Sequence, residues 1–414
     1  MNALRLTNNL ENAEFRVDSA SKSNLNFAVV AHYKGSLSTE TVQNGLLYLQ
    51  CMHPLLQVAA DTTTKVTHYI KATSTVPFRE CRYSPTHQWK EVAKQDLAMR
   101  FSNQYEPLWR VTLLKGEGEG ELVITFHHAI ADGVSTAEII NHLFTIFSEL
   151  QTTGKAEITE FNRPLPDLKS LYPLSAQEPA EEAPASPRED KGYHTNFLKD
   201  AIDEKTTEKM IQWTKAQGVK VNGTLFAAFL LAIRRVVDPD FDAFTAISIV
   251  NYRPWFQPAV SKQTLALLRT GIADDFVVQK NEDFSALAQA VHRSVHTQLE
   301  SGKHVLNLKI LEKRLERDIS PEELWQRSRF PANAAIITNL GALDFSGKYG
   351  DLSLNEIFFV ANVEPFIENP TNFILGTLTF QGKTFLSLWF MEELVEEQVG
   401  QSILLEMKKI LMSL

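Results

Sequence analysis

Apolar positions recur along this chain in two periods, one of about two residues and one between three and four. Short apolar runs predict strands over residues 25–32 and 55–60, and between them residues 38–51 carry Val42, Leu46, Leu47 and Leu49 at helical spacing. Two more β-like runs, 110–114 and 122–126, flank Gly116-Glu117-Gly118-Glu119-Gly120. Carboxylates interleaved with these glycines would repel a phosphate and no Lys-Ser/Thr follows, so the string reads as a hairpin turn. In the second half, residues 207–217 predict a helix stopped by Gly218, and Asn222 is placed to cap a buried helix reaching about Val237. Strands are predicted over 244–250, 334–338, 356–361, 373–380 and 384–390. A closing helix over about 392–412 aligns Val395, Val399, Ile403, Met407 and Ile410 on one stripe.

Strands and helices therefore mix in both halves, the pattern of an α/β chain with mixed α+β sheets. Between about Thr153 and Gly192 the pattern breaks. Six of the 17 prolines fall there (Pro164, Pro166, Pro173, Pro179, Pro184, Pro187), around the acidic run Glu178-Pro179-Ala180-Glu181-Glu182. Proline lacks the backbone donor that sheets and helix interiors need, so this is read as an extended crossover. The expected organisation is an N-terminal lobe over 1–153, a linker over 154–192 and a C-terminal lobe over 193–414. A length of 414 residues fits two large units, and no short-period repeat suggests a solenoid or propeller.

Composition narrows the classes. Apolar residues at 44% and charged residues at 22% are those of a globular chain. A net charge of −9 argues against a nucleic acid as the main partner. The longest uncharged stretch, 41–60, is interrupted by Gln43, Asn44, Gln50, His53, Pro54 and Gln57, so no transmembrane segment is expected. Residues 1–15 lack the apolar core of a secretory signal. Cys51 and Cys81 stand far apart and suggest neither disulfides nor a zinc ribbon, which fits a reducing cytoplasm.

The chemistry concentrates where the run 122–126 meets His127-His128-Ala129-Ile130-Ala131-Asp132-Gly133. A helix follows at once: Ser135-Thr136-Ala137-Glu138 fits a capping box, and Ile139, Ile140, Leu143, Ile146, Phe147 and Leu150 follow at helical spacing. The His pair thus sits in a strand-to-helix loop, where a rigid frame presents functional groups. A neutral imidazole takes a proton from a hydroxyl or amine as that group attacks a carbonyl, and either His is a candidate base. Asp132 is suited to holding the loop through an Arg, and Gly133 to a backbone angle closed to larger residues. Ser135 mimics a hydrolase nucleophile but lies nine positions past Phe126, so capping explains it better. No Cys lies near the pair, and no metal site is expected.

His127-His128-x-x-x-Asp132-Gly133 resembles the signature of the CoA-dependent acyltransferase superfamily, which includes chloramphenicol acetyltransferase, plant BAHD acyltransferases, condensation domains and mycobacterial polyketide-associated acyltransferases. The resemblance runs along nearly the whole chain: His53-Pro54-Leu55-Leu56, Val221-Asn222-Gly223-Thr224-Leu225, Asn251-Tyr252-Arg253 and Thr338-Asn339-Leu340-Gly341 are similar to family elements in the same order. It implies two chloramphenicol-acetyltransferase-like lobes with an active-site channel between them and His128 at its middle as general base. His127, Asp132, Gly133 and Arg253 are then structural, with Asp132 pairing Arg253, and Thr338 and Asn339 are candidates for oxyanion donors or channel wall. The plant Asp-Phe-Gly-Trp-Gly element is missing, since Asp344-Phe345-Ser346-Gly347 shares only its first two residues.

The resemblance implies an acyltransferase with no permanently bound cofactor, an acyl-CoA or acyl-carrier thioester as co-substrate, and a small-molecule or lipid alcohol as acceptor. The alternatives are a condensation enzyme fed by an acyl carrier protein, forming an amide or ester, and an inactive binding module, against which the intact His128 argues. Two further marks have bland readings: His292 and His296 form a zincin-like pair without the catalytic Glu, and the charge-rich stretch 308–329 is a solvated face or a docking surface for a phosphate-bearing donor.

Overall fold

The computed structural model describes residues 3–84, 88–101, 105–159, 165, 167–180, 191–237, 242–363, 369 and 371–414. Of the expected linker, Pro164, Pro166, Glu181, Glu182, Pro184 and Pro187 lie outside the described residues.

The architecture is mixed α/β in two lobes, each built on a six-stranded sheet. In spatial order the first sheet runs Lys348–Tyr349, Leu352–Ala361, Asn26–Lys34, Glu119–His127, Trp109–Lys115 and Phe78–Arg82. Its strand Glu119–His127 is antiparallel to both neighbours, with Phe126 opposite Phe27 on one side and Trp109 on the other. Beyond Glu119 every residue of that strand is buried, because helix Gln88–Ala98 packs on it and helices Thr39–Met52 and Gly133–Thr153 pack together on the same lobe. Two-sided burial explains the unbroken Leu122-Val123-Ile124-Thr125-Phe126 run. Helices Thr39–Met52 and Gly133–Thr153 approach closely at Gly45, where a Cβ would stand 2.5 Å from the Phe147 ring.

The second sheet runs Arg269–Val277, Ala243–Asn251, Ala334–Ala342, Phe373–Phe380, Lys383–Met391 and Thr195–Ile202. Ala334–Ala342 is parallel to both of its neighbours and the remaining pairs are antiparallel. Helix Val221–Val236 lies between this sheet and helices Phe284–Glu300 and Glu397–Met412, buried from Gly223 to Arg234, so its sequence is apolar all round. A three-stranded sheet, Ala3–Leu6, His68–Lys71 and Val58–Asp61, completes the β structure among the described residues.

The sheets do not divide as the chain does. Strand Leu352–Ala361, from the second half of the sequence, pairs with Asn26–Lys34 from Phe27 to Lys34. Other expectations shift locally. Residues 55–57 belong to a 3-10 turn, Pro54–Gln57, because Pro54 is fixed for a first helical position, and the strand starts at Val58. Asn222 is no cap: the helix begins at Val221 after Lys220, and Asn222 Nδ2 donates to Ser248 Oγ at 3.4 Å. The closing helix begins at Glu397, after a strand that extends to Met391. Gly116–Gly120 is the turn between Trp109–Lys115 and Glu119–His127, with Gly118 in the left-handed region at φ +78°. No single helix among the described residues is long and apolar enough to cross a membrane. Cys51 and Cys81 are both free.

Candidate active site

Strand Glu119–His127 delivers the His pair to the junction of the lobes. The His127 N–H donates to Leu108 O and the His128 N–H to Leu25 O, both at 2.9 Å, so the backbone here is fixed by two neighbouring segments. Helix Gly133–Thr153 then starts earlier than its sequence suggests. Asp132 is the cap, accepting from Ser135 N at 3.0 Å, while Ser135 Oγ accepts from Asp132 N at 3.2 Å. The capping box is therefore Asp132 with Ser135, in place of the expected Ser135 with Glu138. An aspartate outcompetes a serine here because its charged oxygen also has other donors to satisfy.

Those donors come from the second lobe. Asp132 Oδ2 accepts from Arg253 Nη1 at 2.6 Å and from Leu268 N at 2.9 Å. Arg253 is buried and donates through Nη2 to the carbonyls of Thr264, at 3.0 Å, and Ala266, at 3.2 Å. Burial alone would push the Asp132 carboxyl up, but Arg253 and the two N–H donors overrule it and hold it below its ordinary value. Gly133 is not in the left-handed region, contrary to the expected need for a special backbone angle. Its constraint is space: a Cβ there would lie 2.6 Å from Leu340 Cδ2 of strand Ala334–Ala342.

The two histidines are held in opposite senses. His127 is buried, stacked on Phe15 with ring centroids 4.6 Å apart, and its Nδ1 accepts the Ala129 N–H at 3.1 Å. Its Nε2 lies 4.0 Å from Asp18 Oδ1, and His127 does not line the cavity that His128 lines. Burial lowers its pKa, with Asp18 opposing. His128 is half-buried, and its Nδ1 bonds to Ala131 O at 2.8 Å. A carbonyl only accepts, so Nδ1 carries the proton and Nε2 the lone pair. Nε2 in turn accepts from Arg269 Nε at 3.1 Å, consistent with that tautomer because a guanidinium only donates. Burial first, and the Arg269 charge second, push the His128 pKa down to about 3.

His128 opens on a cavity of about 460 Å³ lined by residues from both halves of the chain. Among them are Phe27, Gly133, Thr338, Trp389, Arg269 and Glu14. Sequence reasoning missed the last two. Arg269 begins an edge strand, and Glu14 belongs to helix Asn9–Ala20, whose buried positions include Glu11 and Asn12 and so carry little apolar signal. Arg269 Nη2 donates to Glu14 Oε1 at 3.1 Å, while Glu14 Oε2 is buried without a hydrogen-bond partner. Burial raises the Glu14 carboxyl against the pull of Arg269.

The structure does not bring Asn339 to this cavity: its side-chain oxygen accepts the Gly341 N–H at 2.8 Å and serves its own turn. His292 and His296 stack along helix Phe284–Glu300 and line no part of the cavity, with His296 paired to Glu300 at 3.2 Å. Arg314 and Arg327 of the charge-rich stretch do line it, and Arg327 pairs with Glu323. Among the described residues one cluster has metal-type ligands, the exposed His194, Glu392 and Glu393; none lines the cavity, and Glu392 and Glu393 already engage Lys94 and His194.

Residues 17–162 match the Condensation domain family, and residues 197–364 match the phthiocerol/phthiodiolone dimycocerosyl transferase C-terminus family. The chain belongs to the CoA-dependent acyltransferase superfamily. Solved structures of this superfamily share the fold end to end. Polyketide synthase associated protein 5 from Mycobacterium tuberculosis aligns with a TM-score of 0.68 at 15% identity, covering 99% of this chain and 98% of that one. The trichothecene 15-O-acetyltransferase of Fusarium sporotrichioides gives 0.68 at 12% identity, over 98% and 95%. The first condensation domain of the calcium-dependent antibiotic synthetase, in complex with a substrate analogue, gives 0.72 at 12% identity, over 100% and 97%. No curated protein matches the sequence. Membership of the superfamily makes acyl transfer or condensation the activity class, with an acyl donor and an alcohol or amine acceptor.

Proposed function

We propose that this protein is an O-acyltransferase that moves an acyl group from a coenzyme A thioester to an alcohol, with His128 as general base. The observation that supports this reading is the lone pair on His128 Nε2, turned toward a cavity between the halves and fixed in that tautomer by Ala131 O. The acceptor O–H gives its proton to Nε2 while its oxygen bonds to the thioester carbonyl carbon, and the carbonyl π pair moves to oxygen. The tetrahedral oxyanion forms beside Thr338 and near the N-terminus of helix Gly133–Thr153, whose dipole favours negative charge. Its collapse breaks the C–S bond, and the imidazolium returns the proton to the leaving thiolate. An ester and free thiol result, with no acyl-enzyme.

In this reading Asp132, Arg253 and His127 are structural and touch no substrate. Arg314 and Arg327 on the cavity lining supply positive charge for a phosphate-bearing donor. The two unpaired cysteines fit a cytoplasmic enzyme. A second reading, amide or ester formation from carrier-bound acyl groups, is favoured by the match of residues 17–162 to condensation domains. A donor screen separates them: acyl-CoAs of increasing chain length are mixed with alcohols and amines and free thiol is followed. Acceptor-dependent thiol release that disappears in His128→Ala supports the first reading. Reaction of carrier-bound donors alone transfers the assignment to the second.

A further inference from the structure

Resting on that reading, the contacts of His128 narrow the acceptor. The nitrogen that must take the acceptor's proton is occupied by Arg269 Nε, 3.1 Å away. A reacting hydroxyl that donates to Nε2 therefore displaces Arg269 Nε–H from its only acceptor there. A half-buried guanidinium N–H left without a partner weakens binding, so the displaced donor needs a new acceptor. On the same guanidinium, Nη2 stays anchored to Glu14 Oε1 at 3.1 Å, which keeps Arg269 beside the incoming group. Glu14 Oε2 is the complementary defect: a buried acceptor on the same cavity with no donor. One hydroxyl group answers both, because its oxygen accepts from Arg269 Nε while its hydrogen goes to Glu14 Oε2.

We infer that Arg269 and Glu14 form a reading site for a second hydroxyl next to the one that reacts, so that the acceptor class is the 1,2-diol. A simple alcohol leaves Glu14 Oε2 without a donor, as it is before binding, whereas the second hydroxyl of a diol supplies that donor and accepts from Arg269 Nε. Sites built to pair a substrate hydroxyl discriminate strongly against analogues lacking it. The donor thioester plays no part in this choice, so the selectivity is present before any transfer.

The test uses the whole chain without donor, titrated with 1,2-hexanediol and with 1-hexanol, and follows the ring signals of His128 by NMR. The diol is expected to bind at least about tenfold more tightly, the effect of one or two hydrogen bonds. In the double variant Glu14→Leu with Arg269→Met, which removes both partners together and strands no charge, the two affinities are expected within about threefold of each other. Should that variant fail to fold, Glu14→Gln, which keeps the shape and replaces one acceptor oxygen by a donor, is expected to reduce the ratio to a few-fold. Equal affinities in the wild type, no binding of either alcohol, or a diol preference that survives the substitutions overturns the inference. Thiol release from acyl-CoA is scored separately. Diol selectivity without release from any acyl-CoA supports the reading site and removes the transferase reading, whereas release without selectivity does the reverse.

Discussion

Two cavities in this molecule contain the same kinds of side chain and do different things with them. The cavity at His128 has an Arg–Glu pair, Arg269 with Glu14, and a histidine whose pKa burial pushes down to about 3. The second, of about 800 Å³, is lined by Arg5, His53 and Tyr69, and Arg5 pairs with Glu11, one helical turn before Glu14. There, both carboxylate oxygens of Glu11 are used. Glu11 accepts from Arg5 through both oxygens, at 2.7 and 2.8 Å, and from Asn8 N at 2.8 Å, closing a capping box. His53 Nε2 is bonded to His142 Nδ1 at 3.2 Å. At His128, by contrast, one carboxylate oxygen has no partner and the base nitrogen holds a donor that a substrate can replace. The larger cavity is thus the structural one: unspent hydrogen-bonding capacity, more than volume, marks where chemistry is expected.

That contrast breaks most clearly at the two histidines. His128→Ala is expected to lower kcat by about 10²- to 10⁴-fold, the usual contribution of a general base, while His53→Gln keeps turnover and lowers Tm. Initial rates of thiol release beside thermal melts check this, and comparable loss of turnover in both variants would erase the distinction. Next in size, Asp132→Ala strands the buried Arg253 charge and should cost about 3–5 kcal/mol, read from denaturant unfolding. An unfolding midpoint equal to wild type, with only turnover reduced, would move Asp132 from architecture to catalysis.

The two carboxylates on helix Asn9–Ala20 sharpen the comparison at smaller scale. Glu11→Ala removes a bidentate Arg partner and half of a capping box, for about 1–2 kcal/mol of stability, and Glu14→Ala is expected to cost less than about 1 kcal/mol because one of its oxygens pairs with nothing. The reverse order in urea melts would refute this. Titration gives the subtlest contrast. Burial holds His53 at about 3 and His142 at about 4, whereas both titrate near their ordinary value of about 6.5 in the unfolded chain. As pH falls from about 6.5 to 4 the unfolded chain takes up protons that the native state refuses, so stability declines over that window and recovers as pH rises. Replacing the pair, His53→Gln with His142→Leu, should flatten the slope of Tm against pH. At the other cavity, His128 stays neutral down to about 3, so kcat/KM has no acid limb near 6.5. Arg269→Met removes the second cause of that depression and should move the limb upward.

Much of the fold was legible because strands buried on both faces leave mainly apolar runs, as in Leu122–Phe126 and Phe373–Phe380. Helix Asn9–Ala20 escaped because Glu11 and Asn12, polar by type, are among its buried residues. Strand Arg269–Val277 escaped as well, since an edge strand with Asp274 and Asp275 exposed lacks an apolar run. The same two elements hold Glu14 and Arg269, which is why the site was only partly read. His128, Asp132 and Gly133 are local in sequence and form a motif, whereas Glu14 meets Arg269 across 255 positions through tertiary packing alone. Ser135 shows a finer failure: the residue type for a cap was right, but Asp132 three positions earlier had the stronger claim through Arg253.

Strand Leu352–Ala361 has a consequence for any attempt to dissect the protein. Because it zips onto Asn26–Lys34, a fragment ending before it would leave that strand with one side of its backbone unpaired, an adhesive margin that invites aggregation. Severing the chain near residue 192 should therefore give an insoluble N-terminal piece when expressed alone and a soluble one when its counterpart is co-expressed. The same seam works as a clasp, limiting how far the halves can swing apart to admit a substrate.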